Sequence, residues 1–174
     1  MDIKKFYGIN KEDIDLTDHF RASELDCNCC NTLVIDLDLI KSLEAYRNVV
    51  KTPIYITSGY RCQKHNARVG GVSNSFHTKG LAVDFNLGRK NMIFAMFPIL
   101  FNYFNRIGIY AEAWDPGNNY IKGFFHVDTG STPSPRYWIC DRINDHGKYR
   151  TFTSVNNLYI AAKNSKTDWS KVMV

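Results

Sequence analysis

The sequence predicts an α+β fold, because two kinds of apolar periodicity occur in separate stretches of one short chain. Residues Asp36 to Val50 carry Leu37, Ile40, Leu43, Ala45 and Tyr46 near helical spacing, whereas Leu81 to Asn86 and Phe124 to Thr129 alternate large apolar residues with small or polar ones. At 174 residues, 44% apolar and 22% charged, the chain suits one domain with a sizeable core.

The elements follow in order. The first helix is expected to end before Thr52-Pro53, where proline disfavours a helical residue ahead of it. Ile54 to Thr57 reads as a strand running into Ser58-Gly59, and Gln63 to Val69 as a short helix stopped at Gly70-Gly71. Leu81, Val83 and Phe85 alternate with Ala82, Asp84 and Asn86, so Asp84 takes the less apolar face of a strand. Asn91 to Phe104 is strongly apolar and predicts a buried helix interrupted or tilted at Pro98, followed by a strand from Arg106 to Ala111. In Phe125-His126-Val127-Asp128 the two polar residues share one strand face. Gly130-Ser131-Thr132-Pro133-Ser134-Pro135 then punctuates the chain, and Trp138 is expected to pack back on the core. A helix is expected around Val155 to Lys163, before Trp169. The expected organisation is a main domain over 1–140, with 141–174 as an extension packed on it.

His77, Asp84 and His126 carry the clearest chemical signal. Two imidazoles and one carboxylate fill three corners of a tetrahedral zinc site and leave the fourth for water, the catalytic rather than the structural arrangement. His77 sits just before the strand that bears Asp84, and His126 lies on a second strand, so neighbouring strands can bring all three together.

Ser58-Gly59-Tyr60-Arg61, Asn66, Val69-Gly70-Gly71, Ser75-Phe76-His77, Gly80, Ala82, Asp84 and His126-Val127-Asp128 resemble the zinc D-alanyl-D-alanine carboxypeptidase family of peptidoglycan peptidases. The resemblance spans about residues 16 to 139. It includes His19-Phe20, Glu24-Leu25 and Cys27-x-Cys29-Cys30, which are similar to a branch containing murein endopeptidases and phage lysis proteins. It implies a small, mainly antiparallel sheet flanked by helices, the type shared with hedgehog proteins. It also implies zinc (Zn2+) as cofactor and peptidoglycan peptides containing D-amino acids as substrate; the bond cut stays open between D,D- or L,D-specific carboxypeptidase and endopeptidase activity, endolytic cleavage being the more useful for lysis. A catalytically silent zinc-binding recognition or virion module is the alternative, because hedgehog proteins use this fold for recognition.

By position, the resemblance makes His77, Asp84 and His126 the zinc ligands. Arg61 becomes the arginine that approaches the scissile carbonyl oxygen, and Ser75 a contact to the substrate backbone. Fixed guanidinium donors and a metal both stabilise charge developing on that oxygen. One part departs from the pattern: Gly123 stands where better-known members carry an acidic general base, three positions before the last histidine. Asp128 shares the face of His126, ~6.6 Å along the strand, and is carried forward as a catalytic base or as a support of a ligand. Glu112 and Asp115, in a Trp-Asp-Pro-Gly loop region, are the alternatives.

The net charge of +5 favours encounter with an anionic polymer such as cell wall. The basic residues are scattered and accompany no nucleic-acid motif, so nucleic acid is not expected as a partner. The amino terminus lacks an apolar signal core and no run of ~18 apolar residues occurs. A monomer made in the cytoplasm, reaching the wall through phage lysis or a virion, is therefore the expectation. Cys62 and His65 form one half of a structural zinc signature, but Cys27-x-Cys29-Cys30 is an unusual partner for it. Reduced buried thiols or a single disulfide are expected instead, with His65 outside the site.

Overall fold

The computed structural model describes residues 2–7, 14–87, 93–113, 121–131, 134–140 and 149–164. Its first elements are β1 (Ile3–Tyr7), α1 (Ala22–Leu25), β2 (Thr32–Asp36), α2 (Leu37–Val50), β3 (Ile54–Ser58) and α3 (Gln63–Arg68). A 3-10 turn over Phe76–Lys79 leads into β4 (Ala82–Leu87), α4 (Ile93–Leu100), β5 (Arg106–Ala113) and β6 (Ile121–Asp128). The last described elements are β7 (Arg136–Cys140), β8 (Tyr149–Phe152) and α5 (Val155–Lys163).

This is the α+β architecture that the two periodicities predict. One sheet has six strands in the order β3-β4-β6-β5-β7-β8, and β1 pairs with β2 in a second. Every pairing is antiparallel except β5 with β7. The pleat divides the main sheet into two chemically different faces. Val83 and Phe85, Ile107 and Ile109, Phe125 and Val127, and Tyr137 and Ile139 are all buried in the apolar core. Helices cover that face: Tyr46 of α2 meets Phe85 at 6.3 Å between ring centroids, and Phe97 of α4 stacks on Phe125 at 5.8 Å and on Tyr159 of α5 at 6.4 Å. The residues between them in sequence are left for the other face, where the site forms.

The first helix shows how the sequence sets its bounds. Leu39, Ile40, Leu43, Tyr46 and Val50 form one buried stripe. Asp36 caps the start by accepting from the Asp38 amide, and Lys51 ends it in the left-handed conformation. Asp36 does more than cap, since its other oxygen accepts from Thr129 Oγ1 at 2.9 Å and its amide donates to the Gly80 carbonyl. The β2–α2 junction is thereby tied to the turn carrying His77 and to the end of β6.

Some sequence expectations shift. The predicted helix over 91–104 occupies Ile93–Leu100, with Pro98 inside it, and the chain then turns through 101–103. Proline near the end of a short helix removes only one amide donor, and the amides of Tyr103 and Phe104 still close onto the Leu100 carbonyl. The strands β1, β2, β7 and β8 add to those predicted. Leu158 and Ala162 of α5 join the same core as β7. Trp169 and Asp115 lie outside the described residues. Among the described residues, no helix is long and apolar enough to cross a membrane.

Candidate metal centre and cleft

A single register line crosses all six strands at the site. Ser58 pairs with Asp84, Asp84 with His126, His126 with Gly108, Gly108 with Trp138, and Trp138 with Thr151. Directly paired residues present their side chains on the same face, so Asp84 and His126 meet because β4 and β6 are neighbours in this register. His77 reaches them from the 3-10 turn. That turn closes at Gly80, whose φ of +73° is left-handed and whose α-carbon lies against the Val34 backbone, where an added Cβ would collide.

The three predicted ligands converge. His77 Nε2 is 3.2 Å from Asp84 Oδ1 and 3.2 Å from His126 Nδ1, and His126 Nδ1 is 2.7 Å from Asp84 Oδ1. Ligands of tetrahedral zinc at ~2.1 Å from the ion lie ~3.4 Å apart. The donor set therefore fits zinc with small adjustments, the largest about 0.7 Å at His126 and Asp84. Each histidine also has its remote nitrogen engaged. His77 Nδ1–H donates to the Gly59 carbonyl at 2.7 Å, and His126 Nε2–H to Asp128 Oδ2 at 3.1 Å. These bonds select the tautomers that turn His77 Nε2 and His126 Nδ1 toward the centre.

The metal-free electrostatics follow from the same contacts. Burial pushes His77 down, toward the neutral form a metal requires. Burial also disfavours charge on His126, but hydrogen bonds to Asp128 and Asp84 outweigh it and raise the imidazole to about 9. Burial would raise both carboxyls. The histidines instead hold Asp84 well below the usual carboxylate range, and His126 and Arg106 lower Asp128.

Around the triad lies a cleft of about 490 Å³. Arg61 and Ser75 both line it. The Arg61 side chain is 15% exposed, with Nη2 3.6 Å from Asp84 Oδ2. Its Nε is buried and, among the described residues, has no hydrogen-bond partner. The part of the guanidinium that lines the cleft suits an incoming carbonyl or carboxylate oxygen. Ser75 Oγ accepts from the His77 amide at 3.3 Å and caps the 3-10 turn.

Asp128 is brought to the site on the far side of a ligand. Its Oδ2 meets the remote nitrogen of His126, while its Oδ1 accepts from Arg106 Nε at 2.5 Å and from the Gly130 amide at 2.8 Å. Glu112 pairs with Lys122, four residues along β5 from the Gly108–His126 pair, roughly 13 Å at ~3.3 Å per residue. The predicted site lacks three groups that the structure supplies. Arg106 is buried as the counter-ion of Asp128, with its guanidinium 4.9 Å from the Phe76 ring centroid. Trp138 lies over Gly108 with its ring 5.3 Å from that of His126, and it donates to Tyr110 at 3.2 Å. The Gly59 carbonyl is the third. Arg106 and Trp138 reach the site only through the strand register, opposite Asp128 and Gly108, and a backbone acceptor leaves no signature in side-chain types.

Comparison with known families agrees with this geometry. No curated protein matches the chain. A model of the family described as Peptidase M15 matches residues 18–113, more than half of the chain, and the matched span contains Arg61, Ser75, His77 and Asp84. His126 lies beyond the matched span and is joined to it by the β4–β6 register. With zinc-type donors converging on a mainly antiparallel α+β scaffold, the chain belongs to peptidase family M15, zinc metallopeptidases of the D-Ala-D-Ala carboxypeptidase type that act on peptidoglycan.

Proposed function

We propose that the protein is a zinc peptidase that hydrolyses peptidoglycan peptide bonds next to D-amino acids, and that it does so endolytically. The observation that carries the reading is the convergence of His77 Nε2, Asp84 Oδ1 and His126 Nδ1 beside Arg61, whose buried Nε has no partner among the described residues. When bound, zinc supplies Lewis acidity and lowers the pKa of water toward ~7. The chain's own residues do the rest. Arg61 donates to the carbonyl oxygen as negative charge develops there. Asp128 holds His126 in the tautomer that presents Nδ1, and the Gly59 carbonyl holds His77 in the one that presents Nε2.

The endolytic reading is supported by the layout of the cleft. Its lining extends beyond the triad to Val69–Val72, Asn74, and Tyr149 and Thr151 of β8, which suits a substrate longer than a terminal residue. Arg61, Arg106 and Arg136 line it too and suit a substrate bearing carboxylates. On this reading the protein works as a monomer at the bacterial wall, reached through phage lysis or a virion.

A second reading, a catalytically silent zinc-binding module, is favoured by one observation. Gly123 replaces the expected acid, and the nearby Asp128 is already committed to His126, Arg106 and Gly130. Mass spectrometry of muropeptide digests, with and without chelator, separates the two. Chelator-sensitive products with new termini inside a cross-link or stem support the endopeptidase. Removal of terminal D-alanine alone refutes the endolytic part, and unaltered muropeptides refute hydrolysis.

A further inference from the structure

A second group of metal-type donors lies outside the cleft. The cysteines are free, as the expectation of reduced thiols had it, but Cys29 and Cys30 are exposed, and the structure brings Cys27, Cys29, Cys30 and Cys62 together with all four sulfurs within 4.8 Å of one another. Cys29 Sγ is 3.2 Å from Cys62 Sγ and 3.6 Å from Cys27 Sγ. These are not bonded separations, since a disulfide holds its sulfurs at ~2.05 Å. They approach the ~3.8 Å edge of a tetrahedron of sulfurs each ~2.3 Å from a zinc ion.

Backbone amides add to the geometry. The Cys62 amide points at Cys27 Sγ at 3.4 Å and the His65 amide at Cys62 Sγ at 3.4 Å, so backbone donors face two of the four sulfurs. His65 Nδ1 lies 3.3 Å from Cys27 Sγ. His65 therefore sits where an outer histidine orients a ligand, rather than as one of the four. The chain is bent to produce the cluster. The amides of Cys30 and Asn31 both return to the Cys27 carbonyl, and Asn31 adopts a left-handed φ of +47°, which presents Cys27, Cys29 and Cys30 from one tight turn. Cys62 arrives from a segment 32 residues further on than Cys30.

We propose that Cys27, Cys29, Cys30 and Cys62 form a second, structural metal site for zinc or a similar thiophilic divalent cation. Four sulfur ligands close the coordination sphere and leave no position for substrate, so the site is structural. Its location gives it a purpose. Cys62 follows Arg61 directly, the Tyr60 amide donates to the Leu25 carbonyl at 2.8 Å, and Gly59 packs so tightly on the Leu25 backbone that an added Cβ would collide. The same segment supplies the Gly59 carbonyl that orients His77, and its Arg61 amide donates to the His77 carbonyl at 3.2 Å. A metal joining the 27–30 turn to Cys62 clamps the strap that positions a metal ligand and the cleft arginine.

The test is a metal count on the full chain purified without chelator, together with cobalt substitution. Two zinc ions per chain are expected in the wild type. His77→Ala should keep one, and after cobalt exchange it should retain an intense thiolate-to-cobalt charge-transfer band. Cys29→Ser/Cys62→Ser should lose that band and one zinc. Because the double variant can fail for want of folding, thiol reactivity is also read on the folded wild type. Four cysteines should be protected until a strong chelator is added, while buried Cys140 stays slow throughout. A wild type whose only zinc is lost in His77→Ala, no charge-transfer band in cobalt-loaded His77→Ala, thiols equally reactive with and without chelator, or a mass lower by two hydrogens from a disulfide would each overturn the proposal. Loss of zinc from the His77, Asp84 and His126 site alone leaves the band intact, so failure of the peptidase reading is distinguishable.

Discussion

Replacing Asp128 by asparagine separates the two roles open to this carboxylate. Asp128 accepts three hydrogen bonds, from His126 Nε2–H, Arg106 Nε and the Gly130 amide, and it is almost wholly buried. Asparagine keeps one acceptor oxygen and replaces the other by an NH2 donor. If that oxygen stays with Arg106 and Gly130, the NH2 group faces the Nε2–H that His126 must carry when Nδ1 binds metal. If the amide flips, it faces the two other donors. Neither rotamer satisfies all three. Breaking the buried Asp128–Arg106 pair should cost up to about 3–5 kcal/mol. At ~2–4 °C per kcal/mol for a chain of this size, the melting temperature should fall by roughly 6–20 °C. Loss of the histidine's support should weaken zinc binding ~10- to 100-fold. Competition against a chelator measures the affinity, and turnover on muropeptides is then followed at saturating zinc. If Asp128 only orients His126, activity at saturating zinc should return to within ~10-fold of wild type. Unchanged zinc affinity with turnover down ~100- to 10,000-fold would refute the supporting role and make Asp128 the general base.

Three further outcomes follow from the same geometry. Arg61→Lys keeps the charge but loses the planar fork. It should lower turnover ~10- to 1000-fold with zinc content and melting temperature nearly unchanged, whereas unchanged turnover would make Arg61 a structural residue. Gly108→Ala places a methyl into the Trp138 indole, so stability should fall by about 1–3 kcal/mol in denaturant unfolding; an unaltered midpoint would contradict the packing. His126, raised to about 9 in the metal-free protein, should add stability that is full below its unfolded value of ~6.5 and lost as pH rises through about 9. Zinc needs the neutral ring, so its affinity should instead increase with pH over that range. An NMR titration of His126 giving ~6.5 or lower would refute both.

The parts of this molecule that were legible in the sequence are those where side-chain type and periodicity coincide. Val83 and Phe85 alternate with Asp84, and Phe125 and Val127 with His126, so both ligand strands and their buried faces could be read directly. The Val155–Lys163 helix appears with the predicted bounds, and α3 ends one residue earlier than expected, at Arg68. Other elements left no periodic trace. Leu33, Val34, Ile35 and Asp36 of β2 are all buried, as are the last four residues of β7, so neither strand alternates. The cysteines are free, as the expectation of reduced thiols had it, but Cys29 and Cys30 are exposed rather than buried. Cys27-x-Cys29-Cys30 is an unusual partner spacing for Cys62-x-x-His65, and only the fold shows that the Cys62 sulfur joins the other three. Arg106 was hidden as well, because an arginine at a strand start is ordinarily solvated, and only the register opposite Asp128 buries it.

The four groups at the centre rest on two different kinds of support. Asp84 and His126 are paired residues on hydrogen-bonded strands, and their separation is fixed by a ladder that continues through Gly108 to Trp138. Moving one relative to the other means breaking sheet. His77 and Arg61 belong to no strand. They are held to each other through the Arg61 amide and the Gly59 carbonyl, and to the body through Leu25, Gly80 and the Asp36 junction. These contacts run through backbone groups rather than through a strand ladder. The Cys62 thiol lies at the end of that strap, where the proposed second metal would hold it to the 27–30 turn. A rigid half that fixes two ligands and a clamped half that brings the third together with the arginine would account for both clusters of metal-type donors in one small domain.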